Sequence, residues 1–75
     1  MSKLRRVSGK ETIAALERLG FIQVRQRGSH IVLRKKGARG DIGCVPPMHK
    51  EVAVGTLNNI LKLAHVTVGE FVENL

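Results

Sequence analysis

Only Gly28 separates two strand-like runs, residues 21–27 and 29–35, and so short a connection obliges them to fold back on each other as an antiparallel hairpin. The first run, Phe21 to Arg27, alternates Ile22 and Val24 with Gln23, Arg25 and Arg27. A period of two predicts one core face carrying Ile22 and Val24, and one cationic face. The second run, Ser29 to Lys35, holds three apolar residues together, Ile31, Val32 and Leu33, so alternation alone allows two placements. With Ile31 and Leu33 turned inward, His30, Val32 and Arg34 share an open face with Arg25 and Arg27. The opposite parity buries His30 beside an arginine, and a buried charge must be paired, so the open placement is favoured.

The flanking segments read as helices and one more strand. Ser8-Gly9-Lys10-Glu11 has capping-box spacing and opens a helix over Gly9–Leu19, with Ile13, Ala15, Leu16 and Leu19 on one face. Gly20 supplies a left-handed stop, and Phe21 falls where it folds back on Leu16. Lys36 to Gly40 form a glycine-rich basic tip. Asp41 to Val45 read as a third strand, ended by Pro46-Pro47. After a loop containing His49 and Lys50, a second helix starts near Gly55-Thr56. It carries Leu57, Ile60, Leu61 and Ala64 at i, i+3, i+4 and i+7. Thr67-Val68-Gly69-Glu70 repeats the capping-box spacing before a short last helix with Phe71, Val72 and Leu75. The expected fold class is therefore α+β, in the order α-β-β-β-α. A three-stranded antiparallel sheet has its helices packed on one face and a short C-terminal helix.

Seventy-five residues suffice for a single domain over 1–75 with a thin core, leaving no room for a large enclosed substrate cavity. The formal charge of +7 favours an anionic partner. It is also uneven. Residues 1–40 hold eleven of the thirteen Lys and Arg against Glu11 and Glu17 alone, and the remainder is net acidic. Lys3, Arg5 and Arg6 either touch phosphate or are simply solvated. One cysteine, Cys44, excludes an internal disulfide and suits a reducing, cytoplasmic setting. No apolar run reaches the roughly 18 residues of a membrane span, and no signal-peptide pattern follows the basic start, so no membrane association is expected. With no Trp or Tyr, and with Phe21 and Phe71 the only aromatics, there is no platform for stacking splayed bases. Contacts to RNA should go to backbone and 2′-OH.

A histidine among arginines on an open strand face has what metal-free RNA cleavage needs. It titrates near neutrality and stands beside fixed positive charge for the phosphate. The plainer alternative is an ordinary strand residue. Arg25, Arg27 and Arg34 become phosphate contacts if the face is open. Lys35 and Lys36 are either RNA contacts or part of a solvated tip. Gly28 serves the turn, and Ser29 is a turn hydroxyl that could also bond a phosphate. His49 is a candidate second proton-transfer group if its loop folds back. Asp41, Glu51, Glu70 and Glu73 show no clustered ligand spacing beside the histidines, so neither a metal nor another cofactor is expected.

Several fragments together resemble the HicA toxin family: Val7-Ser8-Gly9-Lys10, Leu19-Gly20-Phe21, Arg27-Gly28-Ser29-His30, Val45-Pro46 with His49-Lys50, Gly55-Thr56-Leu57 with Ile60-Leu61, and Glu70-Phe71. The resemblance spans nearly the whole chain. It implies a fold like a double-stranded-RNA-binding domain, an mRNA interferase that cleaves RNA without a metal, and a HicB-type antitoxin that neutralises it. The family's active histidine falls on His30. The chain departs from the family where His65 replaces the usual glycine after the second helix, although histidine tolerates a left-handed conformation better than most residues. Two rival functions stand beside the nuclease. One is a non-catalytic RNA- or DNA-binding module, and the other is a degenerate toxin acting only through protein interaction.

Overall fold

In the computed structural model, which describes residues 4–75, the order is α1 (Gly9–Arg18), β1 (Ile22–Arg27), β2 (His30–Gly37), β3 (Gly40–Cys44), α2 (Val54–Ala64) and α3 (Val68–Glu73). The strands form one antiparallel sheet in the order β1-β2-β3. Lys3 lies outside the described residues.

Local chemistry explains most of the boundaries. Ser8 Oγ accepts the Glu11 N–H at 3.0 Å while the Glu11 carboxylate accepts the Ser8 N–H, completing a capping box. Thr67 and Glu70 do the same at α3. These backbone N–H bonds, from Ser8 and from Thr67, are the main cause holding both carboxyls below the ordinary glutamate range. After α1, Gly20 takes a φ of +104° and the Phe21 N–H donates to Leu16 O, so the chain reverses with both side chains buried. His65 occupies the left-handed position after α2 with φ 57°, the conformation for which glycine is usual. Helix α2 starts at Val54, slightly ahead of the expected Gly55-Thr56, and has no side-chain cap.

The core lies between the sheet and the helices. Ile13, Ala15 and Leu16 of α1 meet Ile31 and Leu33 of β2, Cys44 of β3, Leu57, Ile60, Leu61 and Ala64 of α2, and Phe71 of α3. Burial pushes the Cys44 thiol up to about 11, so it stays protonated and behaves as a small hydrophobe. Val7 and Val52 join the core as a two-residue antiparallel bridge, with the Val52 N–H donating to Val7 O at 2.7 Å. Val7 is thus tied down just ahead of α1, and Arg5 and Arg6 are paired with Glu11 and Glu51 at 3.8 and 3.2 Å.

Three expectations need correction. Ile22 and Val24 are not core: they are 62 % and 48 % exposed. A β-bulge between Gln23 and Arg25 inserts Val24 as an extra residue. It resets the alternation, so that Arg25 and Arg27 share the open face with Ile22, the partner of Arg34. Strand β3 itself ends at Cys44, ahead of the prolines, but pairing with β2 resumes at Pro47 as an isolated bridge. The Ile31 N–H donates to Pro46 O at 3.1 Å, the Met48 N–H donates to Ser29 O, and His30 pairs with Pro47 in the register set by Leu33 and Cys44. Neither proline donates: Pro46 serves as an acceptor only, and the donor in this segment is the Met48 N–H. Lys35, finally, turns to the helix side, where its Nζ donates to Leu19 O at 2.8 Å and lies 5.7 Å from the Phe21 ring centroid. Among the described residues no helix is long and apolar enough to cross a membrane.

Candidate functional site

Residues paired directly across strands point to the same face, so the ladder register settles what the open face carries. The rung nearest the first hairpin holds Arg27, His30 and Pro47. The next holds Arg25 and Val32, and the same register places Val45 beyond them. Ile22, Arg34 and Gly43 follow, and then Lys36 with Asp41. Inward-facing Ile31 and Leu33 enforce this arrangement, because both are buried against the helices. His30 is thereby turned outward, as the favoured parity required.

The hairpin turn fixes the end of this face. Gly28 and Ser29 are the two central residues between Arg27 and His30, and the positive φ of 56° falls on Gly28 alone, the type II′ pattern that matches strand twist. No atom lies near a Cβ built at Gly28, so this glycine serves conformation and not space. Arg27 and His30 are consequently held roughly 5 Å apart at their Cβ atoms by backbone pairing and not by side-chain contact.

Val24, Arg25, Arg27, His30, Val32, Arg34 and Val45 line an open hollow of about 670 Å³. A deep, dry pocket would require each charge to be paired, whereas here three guanidinium groups stand in solvent around one imidazole. Guanidinium forks bind phosphate oxygens bidentately, and a phosphodiester lying in the hollow would have its charge met from both β1 and β2. Val24, Val32 and Val45 add an apolar floor. Val24 was hidden by the bulge, but Val45 could have been found by continuing the alternation one residue past buried Cys44.

The expected site residues separate into two groups. His30, Arg25, Arg27 and Arg34 converge on the hollow, Gly28 and Ser29 form its turn, and Lys36 extends the cationic face one rung beyond Arg34. Lys35 and His49 stand apart. Lys35 caps the end of α1, and His49 is exposed outside the lining of the hollow, its carbonyl accepting the Gly9 N–H at 2.7 Å. Both phenylalanines are buried on the helix side, so neither offers its ring to the open face. Among the described residues, no group of three or more His, Cys, Asp or Glu side chains comes together to hold a metal ion.

A search of curated proteins returned no match. The family model described as the HicA toxin of bacterial toxin-antitoxin systems matches residues 9–66, a span that begins at the first helix and includes the whole sheet, the hollow and α2. The chain belongs to the HicA toxin family.

Proposed function

We propose that this toxin is a metal-independent mRNA interferase that cleaves RNA on the open sheet face, with His30 as the proton-transfer residue. The observation that carries the reading is the convergence of His30 with Arg25, Arg27 and Arg34 on one solvent-open hollow. In the reaction, His30 takes the proton of a ribose 2′-OH, the 2′-oxygen bonds to the adjacent phosphorus, and the bond to the 5′-oxygen breaks. A 2′,3′-cyclic phosphate and a free 5′-hydroxyl result, with the leaving oxygen protonated from solvent. The arginines stabilise the extra negative charge on the phosphorane-like transition state. A positioned acid or base contributes about 10² to 10⁴-fold, and placed charge about 10² to 10³-fold, enough together for a modest ribonuclease.

The face suits a single strand whose phosphates follow the arginines while its sugars and base edges lie over Val24, Val32 and Val45. Such contacts to phosphate and sugar are indifferent to base identity. A HicB-type antitoxin is the proposed neutralising partner, since acidic and apolar groups together would complement this mixed surface. The test is an RNA oligonucleotide in excess EDTA, compared with versions in which single riboses are replaced by 2′-deoxyribose. Cleavage should vanish only when the replaced sugar lies 5′ to the scissile bond, and products should end in cyclic phosphate. Cutting at the deoxy position would rule out attack by the 2′-oxygen.

A further inference from the structure

We propose that Gly9 is a positioning residue for His30, acting through the Pro46–Met48 segment, which latches the start of α1 to the start of β2. The inference rests on the nuclease reading above. His30 is the first residue of β2, where the strand is held on its β3 side only by the residues just after Cys44. Two prolines there supply no N–H groups, so the pairing comes down to the Ile31 N–H on Pro46 O and the Met48 N–H on Ser29 O, with His30 itself opposite Pro47.

The first residue of α1 presses this segment into place. The Gly9 N–H donates to His49 O at 2.7 Å. A Cβ on Gly9 would strike the carbonyl oxygen of Pro47 and sit 2.8 Å from Met48 Cα. Both are backbone atoms that cannot rotate aside. Gly9 has no positive φ, so its glycine answers a need for space alone. The contact therefore determines how closely α1 approaches Pro47, and with it the support of His30 on the side opposite its Arg27 partner. Arg25, Arg34 and Lys36 are set farther along the sheet by the β1–β2 and β2–β3 ladders, which this contact does not touch.

Gly9→Ala should accordingly lower kcat while leaving KM for a single-stranded RNA within about twofold. A misplacement of about 1 Å at the reacting group costs up to about 10²-fold, so a fall of tenfold or more is expected. Ser8→Ala is the matched control, because it removes the cap without adding bulk against Pro47. The His30 ring resonances, followed by NMR, should move in Gly9→Ala and stay in Ser8→Ala, and they report the latch whether or not RNA is cut. A wild type that cuts no RNA would sink the nuclease reading, with the ring resonances still deciding the latch. Equal kcat for the two variants with unmoved ring resonances would overturn the latch. If Gly9→Ala does not fold, amide exchange in the wild type decides instead. Slow exchange at Ile31 and Met48, matching Leu33, upholds the latch, and fast exchange at both beside a protected Leu33 refutes it.

Discussion

Arg27 and His30 are direct cross-strand partners on either side of the Gly28-Ser29 turn, so a fixed positive charge and an imidazole share one rung of the sheet. Their relation is set by backbone pairing and needs no side-chain bond to hold it. Chemistry assigned to His30 should therefore depend on the neighbouring positive charge.

Replacing the hollow's arginines and replacing Lys35 should have different consequences. Arg27→Ala or Arg34→Ala removes positive charge from the hollow and is expected to slow RNA cleavage by roughly 10² with little change in stability. Lys35→Met removes the bond to Leu19 O and the contact over Phe21. It should cost about 1 kcal/mol in urea unfolding while the folded protein cleaves normally. Parallel cleavage and denaturation assays separate the two outcomes.

The Gly28 turn should respond to backbone preference and not to size, since the space around its missing Cβ is empty. Gly28→Asn should be the mildest non-glycine replacement, because asparagine is accepted at positive φ in primed turns more readily than other side-chain-bearing residues. Gly28→Val should lose more, about 1–3 kcal/mol, the cost of forcing a branched residue to a positive φ. Thermal unfolding of the two variants checks this ordering.

Acid should loosen both capped helices. Glu11 and Glu70 are held below the ordinary glutamate range chiefly by the N–H groups of Ser8 and Thr67. A carboxyl lowered on folding stabilises fully above its unfolded pKa, and that contribution disappears as pH falls through the lowered folded value. The urea midpoint should thus decline below the usual glutamate range. A Glu11→Gln, Glu70→Gln double variant should show a shallower decline over the same interval.

Features fixed by neighbours in sequence were legible without coordinates. Ser8 with Glu11, Thr67 with Glu70, and the stop at Gly20 each depend on residues within one helical turn, and each formed as read. The outward turn of His30 was legible because only one parity of Ile31 and Leu33 buries both without burying a charge. The errors arose where distant chain decides. The Val24 bulge exists only in relation to β2, so a strict alternation put Ile22 and Val24 in the core. Pro46 and Pro47 looked like a stop because their missing N–H groups are visible in sequence, whereas the acceptor role of Pro46 depends on Ile31 opposite. Lys35 read as part of a cationic run, and nothing local announces that Leu19 O lies within its reach.

RNA integrity over time with purified wild type and His30→Ala, in excess EDTA and with circular dichroism confirming that both are folded, tests the central claim most directly. The expected result is cleavage by the wild type and a loss of at least about 10² in the variant, the size of a missing proton-transfer group. Equal cleavage by the two folded proteins would contradict the assignment of His30, and retained RNA binding with cleavage by neither would make the open face a binding surface without catalysis.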